Sequence, residues 1–474
     1  MKLYGYEDCL NLKIKDLHKT HSDSINRSQV KLISSFGFGK DIPLKAKGSY
    51  IFTKNNKKIL DMTGGIGVLN HGHNHKKIIQ IRKKFLNDNQ MEVHKNYFSK
   101  FLVGLVNNLK FILPKEINYF YFPNSGSESV DGALKLSYKY FNGQRKYVMY
   151  SDISFHGKLI GAGSITSSNE TSGFKFQGLT NKLKYKYNNI DSIKKLIFKH
   201  KTKNKKNNIY AIIVEPFSGQ TCKSCSDEFL IELRKICDEE KIILIFDEVY
   251  SGFCKTGNYF NFQRVKGLIP DIVTFSKSFG GGKASIAGYG VKKKFHKKAY
   301  DNLYDATLHS TTYFGFAEEI ATAMESIKIM IEEDFTKKSF SNSVIIEKEL
   351  EKIKKKYPNV IELYRGSGSA YGIKFKTNSF LGMMKNIFES IPLKFFKDKF
   401  LIEKIVSGSV IEHLYKHYSI LTYFAINEDI IFKISPPVNI KKNDLKFFFS
   451  SLDKTLQLGI PNLIRKFIKN KYFA

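Results

Sequence analysis

The sequence predicts a three-layer α/β domain built on a mostly parallel sheet, followed by a smaller α+β domain. Between about residues 115 and 315, short apolar strands alternate with amphipathic helices, the pattern of a parallel sheet covered on both faces. At 474 residues the chain exceeds one ordinary core, so two packed units are expected. The third observation is that several of these strands run straight into a cluster of polar residues or glycines.

Taken in order, Asn118–Phe122 reads as a strand, and a helix follows from about Ser127. Val130, Ala133, Leu134, Ser137, Tyr138 and Phe141 fall on one face of it at helical spacing. Further strands read at Tyr147–Tyr150, Tyr210–Val214, Ile242–Phe246 and Ile272–Phe275, with a Lys/Asn-rich loop at Lys199–Asn208. After Glu318 a helix carrying Ile320, Ala323, Met324, Ile327, Met330 and Ile331 leads out of the sheet region. The expected division is an N-terminal segment over 1–75 that packs with the small domain, a large domain over 76–334 and a small domain over 335–474.

Composition narrows the class. A hydrophobic fraction of 42% is that of a globular chain. No apolar run approaches the roughly 18 residues of a membrane span, and the charged N-terminus lacks the apolar core of a signal peptide. Five cysteines in so long a chain suggest no disulfide framework, which points to the cytosol. The net charge of +33 invites a nucleic-acid reading. However, only seven of the 77 basic residues are arginine, the preferred reader of bases, and the lysines recur along nearly the whole chain. Nucleic-acid binding is therefore set aside, while an acidic partner or carrier protein and anionic substrates stay open.

In a parallel sheet the strand C-termini share one edge, where ligands bind. That edge should gather Asn124-Ser125-Gly126-Ser127, Glu215-Pro216, Asp247-Glu248 and Ser276-Lys277 with Gly280-Gly281-Gly282. Gly126 and Ser127 open a helix, whose free N–H groups hold a phosphate. A buried carboxylate at Asp247 needs a cationic partner, such as a protonated ring nitrogen. A lysine with a lowered pKa, at position 277, is the residue type that condenses with a carbonyl. Phosphate cradle, ring-nitrogen carboxylate and Schiff-base lysine together describe a site for pyridoxal 5′-phosphate (PLP).

The residues that carry these roles also match a family. The chain resembles the class III aminotransferases, the group that includes the ornithine, acetylornithine and 4-aminobutyrate aminotransferases. The matching text is Phe122 to Val130, Ser154-Phe155-His156-Gly157-Lys158, Ile213 to Pro216, Ile245 to Phe253, Lys255-Thr256-Gly257, Pro270-Asp271-Ile272, Ser276 to Gly282 and His309 to Thr312. An upstream piece, Asp61 to His75, and a late one, Pro436-Pro437, also fit, so the resemblance spans roughly 45 to 455.

The resemblance implies the PLP-dependent transferase fold type I and an aminotransferase that moves an amino group from an amine or amino acid to a keto acid or aldehyde. By it, Lys277 carries PLP as a Schiff base and Asp247 pairs with the ring nitrogen. Phe155 and Val249 face the two sides of the ring, and Gly126 and Ser127 hold the phosphate. Thr312 helps from the neighbouring subunit of a homodimer. Glu215, Lys158 and Lys433 fall at substrate positions. The family's usual glutamine after Asp-Glu-Val is Tyr250 here, and Lys158 and Lys433 replace arginines. Gln220 replaces the acid that masks the second of those arginines in ornithine-type members. Lysine gives a carboxylate no bidentate fork, so no particular substrate is implied. An aminomutase of the same family, and a lysine-rich binding protein that kept the fold without the chemistry, are the rival readings. His71, His73 and His75 alternate as metal ligands can, and Cys222 and Cys225 form a CxxC pair. Neither has the partners a zinc site needs, and no metal is expected.

Overall fold

The computed structural model describes residues 3–92, 96–167, 178–202, 204, 206–305, 309–377 and 400–472. Three strands near the N-terminus, β1 (Pro43–Lys47), β2 (Tyr50–Thr53) and β3 (Lys58–Asp61), form an antiparallel ribbon. The large sheet then takes β4 (Ile117–Tyr121), β5 (Tyr147–Ser151), β6 (Lys182–Tyr185), β7 (Ile209–Val214), β8 (Ile243–Asp247), β9 (Ile272–Phe275) and β10 (Gly288–Lys292). Its order is β4-β10-β9-β8-β7-β5-β6, and β10 runs antiparallel to both of its neighbours. The remaining pairs are parallel.

The three layers follow from the side-chain alternation of a strand. Ile212, Val214, Leu244, Phe246 and Val273 pack into one core with helical residues such as Leu105, Leu230, Leu233 and Ile327. Ala211, Ile213, Ile243, Ile245 and Ile272 pack into a second core with Val130, Ala133 and Leu136. Both faces are covered, so β7, β8 and β9 are buried at every position. This is why those strands read as continuous apolar runs.

β11 (Ile361–Ser367), β12 (Ala370–Phe375), β13 (Ile420–Leu421), β14 (Tyr423–Ile426) and β15 (Ile430–Ile434) follow the helices Ala317–Glu332 and Phe335–Lys356. The order β11-β12-β15-β14 makes a fully antiparallel sheet. β13 pairs in parallel with β3, joining the N-terminal ribbon to the C-terminal part of the chain. Leu60 and Met62 share a core with Ile373, Val406, Phe432 and Phe448. No helix among the described residues is long and apolar enough to cross a membrane.

β6 and β10 are additional to the strands expected from the sequence. β6 is an edge strand with the text Lys-Leu-Lys-Tyr, and β10 carries two glycines, so neither shows an apolar run. The helix expected from about Ser127 spans Gly126–Tyr140. Its expected inner face is corrected at one end. Tyr138 is exposed and meets Tyr210 edge-on, whereas Gly132 and Leu136 are buried.

Ile245, in the middle of β8, is fully buried. Ile245→Ala should cost about 2–5 kcal/mol, read as a lower denaturant midpoint. An unchanged midpoint would mean the sheet centre tolerates a void, against this packing.

Candidate active site

β8 ends on Asp247, which is 3% exposed at the C-terminal edge of the sheet. A carboxylate among apolar strands requires compensation. Its Oδ2 lies 2.7 Å from Nδ1 of His156, and its Oδ1 accepts the Val249 N–H at 3.0 Å. His156 stands on the loop after β5, where its own N–H donates to Thr166 Oγ1 at 2.9 Å. The imidazole is buried and its Nε2 has no partner. His156 is a site residue that the sequence motifs place beside Phe155 without marking its role. The signal was a histidine next to the aromatic residue at a strand end.

Glu215 follows β7 and is buried. Its Oε2 accepts the Phe155 N–H at 2.8 Å and its Oε1 accepts the Gly219 N–H at 3.0 Å. Burial pushes its carboxyl up to about 7, and the nearby Asp247 adds to the rise while His156 opposes it. Each Glu215 oxygen thus accepts one backbone N–H, and the substrate contact expected for it remains a proposal. Glu215 positions Phe155, the residue proposed to face the cofactor ring.

Lys277 follows β9 on one turn of 3-10 helix and adopts φ +49°, a left-handed conformation uncommon for a long side chain. Its Nζ donates to the Ile66 carbonyl at 3.2 Å and lies 5.7 Å from the centre of the Tyr250 ring. Burial lowers its pKa and Lys433 repels its charge, while Asp247 and Glu215 act the other way. The Gly64–Gly67 segment passes close by. A Cβ at Gly67 would sit 3.0 Å from Tyr250 Cε2 and 3.4 Å from Lys277 Cδ, so the glycine lets the backbone approach the lysine.

The Gly126–Tyr140 helix begins at the same edge, between β4 and β5. Ser125 caps it, accepting the Glu128 N–H at 3.3 Å, and Glu128 Oε2 reaches back to the Asn124 N–H at 3.0 Å. The N–H groups of Gly126 and Ser127 are left without intrahelical partners. A Cβ at Gly126 would meet Val249 Cγ1 at 3.1 Å, and one at Gly157 would stand 2.0 Å from Ser127 Oγ. The two glycines thus let Val249 and the Ser127 hydroxyl close in on the backbone at the helix N-terminus, the candidate phosphate cradle.

The residues expected to reach substrate are placed less uniformly. Lys433, on β15, is wholly buried. Its Nζ donates to the Gly219 carbonyl at 2.9 Å and contacts Cys222 Sγ, and it lies 5.4 Å from the Tyr250 ring centre. Gln220 does not bond to it; Asn427 Nδ2 donates to Gln220 Oε1 at 2.8 Å. Tyr250 hydrogen-bonds Ser435 Oγ at 2.9 Å, so its hydroxyl is turned to the protein. Lys158 and Thr312 are exposed. The three alternating histidines each have a protein partner: His71 has the Ser326 carbonyl, His73 has Asp61 and His75 has Glu333.

A buried carboxylate braced by an imidazole, a lysine with a lowered pKa and a helix N-terminus flanked by glycines form one constellation, and they are suited to a cofactor with a ring nitrogen, a carbonyl and a phosphate. Asp247 fits that group in a specific way. Only two of its roughly four lone-pair sites are occupied by His156 and Val249, which leaves room for a ring N–H. The chain belongs to the class-III aminotransferases, enzymes that move amino groups with PLP; the model of that family matches residues 41–394.

Solved structures agree on the fold. A transaminase from the marine bacterium Virgibacillus superposes with TM-score 0.79 at 21% identity, over 95% of this chain and 99% of that one. The ornithine aminotransferase of Toxoplasma gondii ME49 gives 0.77 at 16%, over 95% and 97%. An S-selective transaminase from Arthrobacter sp. gives 0.76 at 20%, over 93% and 100%.

Gly157→Ala should place a methyl group against Ser127 Oγ and weaken PLP binding roughly tenfold or more, as overpacking of about 1–3 kcal/mol implies. Adding Ser127→Gly should recover part of the loss by restoring space. Equal PLP affinity in the wild type and Gly157→Ala, measured by fluorescence titration, would separate this cradle from the phosphate.

Proposed function

We propose that Lys277 is the residue that carries PLP and moves the proton in amino transfer. The observation that carries this reading is the shared sheet edge of Lys277 and the Asp247–His156 pair, with the lysine pKa lowered by burial and by Lys433. When bound, PLP supplies a conjugated ring that accepts the electron pair released at the substrate carbon. The work of the chain lies around that chemistry. Gly126 and Ser127 would hold the phosphate from the helix N-terminus, with the dipole favouring negative charge. Phe155, fixed through Glu215, and Val249, bonded to Asp247, would face the ring from its two sides. The Asp247 carboxylate would pair with the ring nitrogen and favour a proton there, while the His156 ring fixes the carboxylate in place.

Lys277 acts twice. A neutral amine is required to accept the proton from the substrate carbon, and the lowered pKa raises the neutral fraction at working pH. The same Nζ, once protonated, would be placed to return that proton in amino transfer. The Lys277 Nζ donates to the Ile66 carbonyl, a partner the amine would exchange for the cofactor.

A homodimer that completes the site fits this reading. Thr312 is exposed, and Ile66, Leu303, Tyr304 and Tyr313 are large apolar or aromatic side chains left exposed on the single chain. Exposed apolar side chains of this kind are what a subunit interface would cover. Toward substrate, Lys433 has one N–H left beyond Gly219 and Cys222, since an ammonium carries three donors. It could give a substrate carboxylate a single bond, not the fork that an arginine gives.

Lys277→Ala should remove the borohydride-trapped label and lower turnover by roughly 10²–10⁴-fold, the scale of a lost general base. Label trapped on a different lysine would refute the assignment. Lys433→Met removes a like charge beside Lys277, so the pKa of Lys277 should rise. The acidic limb of the kcat profile should then move to higher pH. A limb that stays put or moves to lower pH would show that Lys433 does not act on Lys277.

A further inference from the structure

Cys222 and Lys433 form a buried pair, and amino transfer gives the thiol of that pair no part to play. Cys222 sits on the Gly219–Lys223 turn that follows β7, and Lys433 is the penultimate residue of β15 on the small sheet. The Lys433 Nζ lies 2.5 Å from Cys222 Sγ, and the two residues are 0% and 1% exposed. No acidic partner of Lys433 is present among the described ion pairs. A second buried lysine, Lys255, lies close by, with its Nζ on the Pro436 carbonyl at 2.7 Å and its pKa lowered to about 7 by burial and by the charge of Lys433. Cys222 also lines a cavity of about 510 Å³ together with Tyr187, Asn188, Lys223 and Arg365. A small neutral oxidant can therefore reach the turn from that side.

We propose that Cys222 and Lys433 are an oxidative modification site, in which hydrogen peroxide produces a covalent Nζ–Sγ bond between them. The reading of the site as a PLP centre is not needed for this step, although its consequence for Lys277 rests on it. The chemistry balances in two stages. Peroxide oxidises the Cys222 thiol by two electrons to a sulfenic acid, its O–O bond breaks and one water leaves. The neutral Lys433 amine then attacks that sulfur. The N–S bond forms, the S–O bond breaks, and the hydroxide leaves as a second water with one proton from the amine. If Lys433 starts as an ammonium, its extra proton goes to solvent. The net change is the loss of two hydrogens from the pair. The sulfenic acid forms with its nucleophile already in contact, so no chain movement is required.

The position gives the link a consequence. The Gly219–Lys223 turn is already held to the small domain by Arg365 Nε on the Thr221 carbonyl at 2.6 Å, by Asn427 on Gln220 at 2.8 Å and by a Lys223–Glu428 ion pair. A covalent bond from Cys222 to β15 would make that docking permanent. It would also remove the charge of Lys433, one of the groups that lowers the pKa of Lys277. Oxidation should thus move the kcat profile in the same direction as Lys433→Met.

The test treats the holoenzyme with graded hydrogen peroxide, alkylates the remaining thiols under denaturing conditions and maps peptides by mass spectrometry. The expected product joins the Cys222 and Lys433 peptides and is lighter than their sum by two hydrogens. One of the five thiols should become protected, and dithiothreitol should restore it. Cys222→Ser and Lys433→Arg should each lack the product, and Cys225→Ala should still form it. A Cys222–Cys225 disulfide, a sulfinic acid at Cys222 with the Lys433 peptide unlinked, or a link heavier by an intervening oxygen would each overturn the direct bond. These readouts depend on peptide mass alone. An enzyme whose PLP role had been misassigned would still give a clear answer.

Discussion

The structure turns on one electrostatic constraint, a carboxylate held at the end of the central strand of a sheet that is apolar on both faces. Asp247 would be costly there without partners. The protein meets the cost with an imidazole and a backbone N–H, and leaves part of the carboxylate free. Much of the site is arranged about that arrangement. His156 must come from the loop after β5, which brings Phe155 with it. Phe155 is in turn fixed by Glu215 at the end of β7, a neighbour of β8 in the sheet. Because adjacent parallel strands end at the same edge, a chain of contacts runs from strand to strand across the site.

A second dependence runs between the two parts of the chain. Glu215 accepts the Gly219 N–H, and Gly219 opens the turn on which Lys433, Arg365 and Asn427 converge. The same few residues link the sheet edge to the antiparallel sheet of β11, β12, β14 and β15. Tyr250 stands between them in function, since its ring lies near both Lys277 and Lys433 and its hydroxyl bonds Ser435. Gly67 and Gly219 make room for that ring. A Cβ at Gly219 would come 2.7 Å from Tyr250 Cγ. Tyrosine at position 250 therefore depends on glycine at two distant positions.

Much of this was legible in the sequence. The strands β7, β8 and β9 are buried on both faces and announce themselves as apolar runs, so the residues that follow them were easily placed on one edge. Lys277, Asp247 and the Gly126-Ser127 turn could be named before any coordinates, because each follows or precedes a strong periodic element. The illegible parts share a physical cause. β6 and β10 have no apolar run, and their place comes from pairing with neighbours. The His156–Asp247 contact spans 91 positions and has no local pattern. The partners of Lys433 and Glu215 were likewise invisible, because a side chain's hydrogen bonds in a buried turn depend on tertiary packing. Sequence identifies which residue types could touch substrate, but not which are already occupied by the protein.

The account rests on Asp247 favouring a proton on the cofactor's ring nitrogen. The most direct test is ¹⁵N NMR of the enzyme reconstituted with PLP labelled at that nitrogen, across neutral pH, for the wild type and Asp247→Asn. The account predicts a protonated nitrogen in the wild type and an unprotonated one in the variant, because the amide carries no charge to hold the proton. An unprotonated nitrogen in the wild type, or no difference between the two proteins, would contradict it.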